Sequence, residues 1–315
     1  MGRLPKQVLL VCVLLFTLPA QLSATSLLDA QRAYDMGNYE KAATLYRPLA
    51  EQGVVLAQRD LGIMYAKGQG VPQDYKEAAR WFRLAAEEVD AYAQYSLALQ
   101  YENGQGVPQD YKEALNWYQL AAVQGNALAQ YGLGTMYYLG RGVDQDYKEA
   151  KKWYLVAAEQ NVASAKFNLG LMYAKGQGVM QDDSEAAEWY SLAAEQGHVL
   201  GQLNLGLMYA EWRGVPQDHK EAAKWYLLAA IQGNASAQGN LAATYAQGQG
   251  VPQDYVLAYM WASIAAANNE EQKRSTETRE QVEKLMTADQ IAEAQELTKK
   301  CIAKKFKGCQ QKKLK

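Results

Sequence analysis

Thirty-six residues is the period of this sequence, and the period holds over six successive units without an insertion. The eleven residues GQGVPQDYKEA at 68–78 occur again, letter for letter, at 104–114. One aspartate recurs in every unit, at Asp74, Asp110, Asp146, Asp182, Asp218 and Asp254. Gly70, Trp81 and Tyr65 also recur every 36 residues. So strict a register excludes chance alignment and predicts a repeat architecture.

Each unit contains two stretches with helical periodicity, joined by a glycine-rich turn. In the second stretch, apolar residues between Tyr75 and Ala86 recur at the spacing of one helix face. Asp74 followed by Glu77 is typical of a capping box at a helix start. In the first stretch Gly62 precedes Tyr65 and allows a neighbouring helix to come close. Because one pair cannot bury its own apolar face, the sequence predicts stacked pairs and an all-α fold.

The unit resembles the Sel1-like repeat, a tetratricopeptide-related helical pair with a longer turn, in the pattern A-Q-Y-x-L-G-x-M-Y-x-x-G-x-G-V, then D-x-x-x-A-x-x-W-Y-x-x-A-A-x-x-G. The resemblance covers six units at 54–268, after a shorter tetratricopeptide-like hairpin at 26–53. Residues 269–315 are expected to form C-terminal capping helices and a basic tail. The resemblance implies a right-handed α-solenoid of about seven hairpins, whose concave groove binds a partner protein or peptide.

In related tetratricopeptide clamps, the polar residue directly before the Leu-Gly pair faces the groove and grips a peptide. The resemblance therefore points to Asp60, Ser96, Gly132, Asn168, Asn204 and Asn240. The three asparagines form a possible ladder of amide donors and acceptors, suited to an extended backbone of any sequence. Gly132 has no side chain and weakens the ladder toward its start. The alternative is that each asparagine is solvated or locally capped.

Two further positions of the first helix share this face. The position just before the ladder holds Arg59, Tyr95, Tyr131, Phe167, Leu203 and Gly239. The position four residues before the ladder holds Leu56, Tyr92, Leu128, Ser164, Leu200 and Ser236. Residues this varied fit a surface specific for one partner, and they equally fit an unconstrained surface.

The first 24 residues are expected to be a signal peptide. Arg3 and Lys6 precede an apolar run at Val8–Leu18, and small residues follow. The run is shorter than the roughly 20 residues that span a bilayer, so the mature chain is expected to be periplasmic or secreted, without a membrane segment. Removing the leader leaves 30 basic residues (32 minus Arg3 and Lys6) against 34 acidic ones. A chain with this charge is not expected to bind nucleic acid.

Residues typical of catalysis or metal binding are scarce. The two histidines, His198 and His219, are too far apart for a metal-ligand motif, and no S-x-x-K sequence occurs. We expect no cofactor, no metal and no enzymatic activity. The alternative is a cell-envelope hydrolase such as a β-lactamase-like enzyme, as described for cysteine-rich Sel1-like relatives. This chain lacks their paired cysteines in each repeat.

The C-terminal segment leaves the 36-residue register. Thr287 and Gln290 form a cap-like start of a further helix, which suits the end cap that a solenoid needs. Cys301 and Cys309 are the only cysteines after the leader, and an even number in an exported chain favours a disulfide. A thiol pair for a metal or an intermolecular bridge remains open. Eight lysines between 299 and 315 form a solvated tail or bind a partner.

Overall fold

A computed structural model describes residues 26–267, 272–306 and 308–309. The expected signal peptide lies outside the described residues, as does the end of the basic tail. The all-α fold, built of hairpins stacked as in α-solenoids, is confirmed, since the described part of the chain has no strand. Its helices are α1 (26–35), α2 (Tyr39–Glu51), α3 (Val55–Lys67), α4 (Tyr75–Glu87), α5 (Ala91–Asn103), α6 (Tyr111–Val123), α7 (Ala127–Leu139), α8 (Tyr147–Glu159), α9 (Ala163–Lys175), α10 (Asp183–Glu195), α11 (Val199–Glu211), α12 (His219–Ala230), α13 (Ala235–Gln247), α14 (Tyr255–Ala266), α15 (Gln272–Glu283) and α16 (Ala288–Ala303).

The chain divides into two compact units, which we call unit 1 and unit 2. Unit 1 extends to Trp153, and unit 2 begins at Tyr154. Successive helices pack on one another from α2 to α7 in unit 1 and from α9 to α15 in unit 2, so each repeat forms its core with its neighbours. The largest fully buried side chains of unit 1 include Trp81 and Tyr118, and those of unit 2 include Trp261.

The repeated aspartate begins the second helix of each hairpin. The Asp74 carboxylate accepts hydrogen bonds from the backbone N–H groups of Lys76 at 2.8 Å and Glu77 at 3.1 Å. The Glu77 side chain does not complete a capping box; it pairs with Arg80 at 3.2 Å. The sequence motif therefore supplies the cap, while its glutamate supplies an ion pair on the helix surface.

The glycine-rich turn of each hairpin packs closely against the backbone of the preceding hairpin. Gly68 and Gly70 adopt left-handed conformations, with φ of 66° and 68°. A Cβ atom at Gly70 would overlap the carbonyl group of Tyr39, and one at Gly106 would overlap the carbonyl group of Tyr75. The second glycine of the turn is therefore required twice, by its backbone conformation and by the backbone of the preceding repeat.

Within a hairpin, the glycine of the first helix makes room for an aromatic ring of the second. A Cβ atom at Gly62 would lie 2.7 Å from the ring of Phe82, and one at Gly170 would lie 2.7 Å from the ring of Tyr190. Close packing therefore offsets the cost of a glycine inside a helix, which is about 1 kcal/mol relative to alanine.

The C-terminal segment covers the last repeat. Helix α15 packs on α13 and α14, and α16 packs on α14. The structure joins Cys301 and Cys309 in a disulfide, with their Cα atoms 5.2 Å apart. Within the ring that this bond closes, Phe306 lies against Gly233 of the α12–α13 turn. None of the described helices is long and apolar enough to span a membrane.

Candidate partner-binding site

Buried glutamines fix the first helices, which carry the candidate site, on the second helices before them. The Gln94 side-chain amide donates a hydrogen bond to the Ala86 carbonyl oxygen at 3.0 Å. The same bond is made by Gln58, Gln130, Gln202 and Gln238. Each bond gives a second donor to a carbonyl near the end of a second helix, which also accepts a backbone N–H from the following turn, as Ala86 does from Val89 at 3.1 Å. The surface of the first helices is therefore held by a rigid internal contact in each unit.

In unit 1 the first helices line an open cleft of about 330 Å³. Its walls include Ile63 of α3, Leu99 of α5 and Leu128 of α7. Tyr92 is 41% exposed, and its ring meets that of Tyr95 edge to face, with the centroids 6.4 Å apart. The cleft is thus apolar and aromatic, and its shape and chemistry suit the side chain of a bound partner.

Asp60 lies beside this cleft, but its carboxylate is already engaged. Arg59 bonds Asp60 at 2.9 Å and Asp90 at 3.4 Å, which leaves the three groups with one net negative charge. Burial and the nearby negative charge of Asp60 raise the pKa of Tyr46 well above its usual value, and the Tyr46 hydroxyl donates to the Gln31 side-chain oxygen at 3.0 Å. Asp60 therefore forms an ion pair within this chain, at the end of the row of first helices.

Ser96 and Gly132 have local structural roles. The Ser96 hydroxyl donates to the Tyr92 carbonyl oxygen at 2.8 Å. A Cβ atom at Gly132 would lie 2.6 Å from the ring of Tyr118, whose hydroxyl donates to Glu102 at 2.7 Å. Gly132 therefore leaves space for that ring. Tyr131 lies beside it, half-buried, on the same helix.

In unit 2 the three asparagines of the predicted ladder occupy equivalent, half-buried positions on α9, α11 and α13. The Asn204 amide donates to the Leu200 carbonyl oxygen at 2.8 Å. The Asn240 side-chain oxygen accepts from Arg274 of α15 at 3.0 Å. The side chains of Asn204 and Asn240 thus already form hydrogen bonds within this chain. To bind a peptide, they would have to exchange these bonds.

Phe167 lies between two rings of unit 2. Its centroid is 4.8 Å from that of His198, in a stacked arrangement, and 5.7 Å from that of Tyr190. His198 caps α11, because its Nδ1 atom accepts the Gly201 N–H at 3.1 Å. Burial lowers the pKa of His198, which favours the neutral ring that this bond requires. Phe167 is therefore a half-buried packing residue beside a capping histidine.

In the part of the chain that the structure describes, no group of three or more His, Cys, Asp and Glu side chains could hold a metal ion. The histidine at position 198 is engaged in a helix cap.

The sequence model of the family described as Sel1 repeat matches seven consecutive segments of the chain. They are residues 31–54, 55–90, 91–126, 127–162, 163–198, 199–234 and 235–270. The chain belongs to the Sel1 repeat family. Sel1 repeat proteins are generally protein-interaction scaffolds, and they are mostly not enzymes.

Solved Sel1 structures agree with this fold. A Sel1 repeat protein from Oxalobacter formigenes is 35% identical, with a TM-score of 0.70, over 76% of this chain and 96% of that protein. A second structure, c5321, is a protective antigen of uropathogenic Escherichia coli strains that displays an SLR fold. It is 26% identical, with a TM-score of 0.60, over 90% of this chain and 93% of its own. The comparison with curated proteins gives no match.

The glutamine that holds each Sel1 first helix was missed by the sequence analysis. Its signal is the A-Q pair of the repeat pattern, which places one polar side chain among apolar neighbours of the same helix face. One repeat departs from it: Lys166 takes this position and donates to the Asn161 side chain at 3.0 Å. A polar residue in an otherwise apolar stripe thus marked a buried hydrogen bond.

Proposed function

We propose that this chain is an exported interaction scaffold that binds an extended segment of a partner protein along its first helices. The observation that carries the proposal is the apolar, aromatic cleft of unit 1, which is open and lined by three consecutive first helices. Tyrosine and leucine side chains in such a cleft provide large contact areas at a low entropic cost. The scaffold role follows the general role of the family.

The spacing of the exposed side chains favours an extended segment. Leu56, Tyr92 and Leu128 occupy one position of three successive repeats, and each is between 41% and 47% exposed. A segment in extended conformation that crosses the three first helices would present side chains to them at regular intervals. A partner with apolar residues at that spacing would contact all three side chains at once.

The asparagine ladder of unit 2 is proposed as a second contact for the same partner. A side-chain amide can accept from a backbone N–H group of an extended chain and donate to a backbone carbonyl oxygen. Asn204 and Asn240 would exchange their present bonds with Leu200 and Arg274 for bonds to the partner. The expected gain from such exchanges is small, since one bond replaces another. We therefore assign the main affinity to unit 1.

Export and the domain boundaries belong to the same proposal. A signal peptide at 1–24 would direct the chain to the periplasm or outside the cell, where the Cys301–Cys309 disulfide would persist. The shorter hairpin at 26–53, the six repeats at 54–268 and the cap at 269–315 are the proposed divisions. We propose no enzymatic activity, no cofactor and no metal.

The test compares two double variants in pull-downs from the cell envelope of the native organism. Tyr92→Ser with Leu128→Ser changes the proposed site. Leu84→Ser with Leu120→Ser is the matched control, because these leucines are 36% and 48% exposed on the second helices α4 and α6. The two variants remove similar exposed apolar area from the same unit. Circular dichroism checks that both remain folded.

We expect the site variant to lose a partner that the wild-type and control proteins both retain. Photo-crosslinking from position 99, inside the cleft, should then join the same partner to the wild-type protein. Equal capture by both variants would refute the site. Turnover of a β-lactam that depends on one side chain would refute the non-enzymatic role.

A further inference from the structure

Two exposed apolar residues of unit 2 stand where the other repeats place turn residues. Trp212 is 74% exposed and occupies the position of the first turn glycine, which is Gly68, Gly104, Gly140, Gly176 and Gly248 elsewhere. Met180 is 89% exposed and occupies the position that is proline in four of the other five repeats. Large apolar side chains at these positions gain nothing from the fold, because solvent surrounds them.

Trp212 also has an unfavourable backbone conformation. It ends α11 in the left-handed region, with φ of 58° and ψ of 50°. Residues with a Cβ atom rarely adopt this conformation, and glycine would adopt it without strain. The chain therefore retains an exposed tryptophan where glycine would be the more stable choice. Strain of this kind is typical of functional surfaces.

The next turn residues bring Trp212 to the start of α10. Arg213 bonds the Asp183 carboxylate through two nitrogens, at 3.0 and 3.4 Å. A Cβ atom at Gly214 would overlap the Asp183 carbonyl group, and the Ser184 hydroxyl donates to the Gly214 carbonyl oxygen at 3.1 Å. Met180 precedes Asp183 by three residues. The two exposed apolar residues therefore lie at one edge of unit 2.

Helix α10, which begins at this edge, is the most acidic of the second helices. Helix α10 contains Asp183, Glu185, Glu188 and Glu195 and no basic residue. In α4, α8 and α12 the first-turn glutamate pairs with a cation three residues later, which is Arg80, Lys152 or Lys224. In α10 that later residue is Glu188, so two like charges face each other on one side of the helix. Only Asp183 of these four pairs with Arg213.

We propose that this edge is a docking surface for a basic segment of a partner protein that carries a large apolar side chain. The surface, which we call the Trp212 edge, consists of Met180, Asp182, Glu185, Glu188, Glu211 and Trp212. Its carboxylates would pair with lysine or arginine, and the Trp212 ring would receive an aliphatic stem or a cation. The Trp212 edge shares no residue with the cleft of unit 1, so an experiment can refute either proposal without affecting the other.

The test uses fluorescence anisotropy with a labelled synthetic peptide of alternating lysine and leucine, and a glutamate–leucine peptide of equal length. We expect the basic peptide to bind the wild-type protein and to weaken about tenfold between about 50 and 300 mM NaCl, because salt screens exposed charges. Trp212→Gly and Glu188→Lys should each weaken binding about tenfold. Met36→Ala, a change at an 83% exposed methionine of unit 1, is the control and should bind as the wild type does.

Trp212→Gly restores the glycine of the other repeats, and Glu188→Lys restores the cation that three of the other five repeats have at this position, so each variant should unfold at a higher temperature than the wild type. Lost binding in a more stable protein cannot come from unfolding. Unchanged binding in either variant, or equal binding of the two peptides, would overturn the proposal. Concentration-dependent self-association abolished by Glu188→Lys, without peptide binding, would assign the edge to a second copy of the chain and would also overturn it.

Discussion

Units 1 and 2 share one scaffold and differ in the surface that their first helices present. In unit 1 this surface is apolar and aromatic, with Leu56, Tyr92 and Leu128 at one repeated position. In unit 2 the same position holds Ser164, Leu200 and Ser236, and the ladder position holds three asparagines. The scaffold contacts do not differ in this way, since Gln94 of unit 1 and Gln202 of unit 2 make the same buried bond. Residues that hold the repeats together thus recur, while residues of the proposed binding surface vary.

The first prediction, which has the largest expected effect, tests whether the scaffold is equivalent in the two units. Alanine at Gly106 or Gly214 would overlap a backbone carbonyl group in a left-handed conformation. We expect each variant to lose about 3 kcal/mol of unfolding free energy, measured by urea denaturation. Gly125→Ala is the control: its φ is also positive, but nothing lies within 4 Å, so it should lose only about 1 kcal/mol. Equal losses in all three would show that overlap with the preceding repeat is unimportant.

The second prediction asks which surface supplies the affinity for the partner identified by pull-down. By calorimetry, Tyr92→Ser with Leu128→Ser should weaken binding about tenfold or more. Replacement of Asn168, Asn204 and Asn240 by alanine should weaken it only about threefold, because two of these amides already bond within the chain. If the asparagine variant has the larger effect, the ladder is the main site and the cleft is secondary.

The fold could be predicted from the sequence because each of its requirements repeats. Asp74 and its five equivalents identified the helix starts, and Gly70 and its five equivalents identified the turn that contacts the preceding hairpin. The short first hairpin followed from Tyr39, which keeps the register of Tyr75 although its turn is shorter. Such features arise from contacts within a repeat or between neighbouring repeats, so their regular spacing in the sequence reveals them.

The candidate site could be predicted only as a set of positions. Sequence alone could place Ser96 and Asn204 on the first helices, but not the hydrogen bonds that each makes to a backbone carbonyl oxygen four residues earlier. Gly132 resembled a gap in the ladder, whereas in the structure it makes room for Tyr118, a residue of the preceding repeat. Which polar atoms remain available depends on side-chain orientation, which a repeat pattern does not specify.

The third prediction exploits a difference between repeats in the buried glutamines. The side-chain oxygens of Gln94 and Gln202 accept from Gln124 at 2.7 Å and from Gln232 at 2.9 Å. The equivalent oxygen of Gln58 is buried without a partner, because Glu88 stands where those donors stand. Glu88→Gln should therefore raise the unfolding free energy by about 1 kcal/mol, and Gln232→Glu should lower it by a similar amount.

Urea denaturation measures both changes, with Glu87→Gln as a control for the loss of one exposed negative charge. If Glu87→Gln stabilises the protein as much as Glu88→Gln, the gain comes from charge and not from the buried oxygen of Gln58. The comparison would then say nothing about the hydrogen bonds that hold successive repeats together.

The smallest effect is expected at the caps of the first helices, where unit 1 uses Asp90 and Asn126 and unit 2 uses Asn234 and, unlike unit 1, a histidine, His198. Only the neutral His198 ring can accept the Gly201 N–H, and burial lowers the pKa of His198 in the folded protein. The stability that this cap contributes is therefore present above the unfolded pKa of about 6.5 and is lost as the pH falls through it toward the lower folded pKa.

His198→Asn should keep the cap, as Asn126 does, and remove this part of the pH dependence. We expect the fall in Tm between about pH 7.5 and pH 5 to be smaller in His198→Asn than in the wild type. His219→Tyr is the control, because tyrosine occupies that position in most repeats, and it should leave the fall unchanged. If the fall depends on His219 instead, then His198 is not the titrating cap, and the two units do not differ in how the pH affects their first helices.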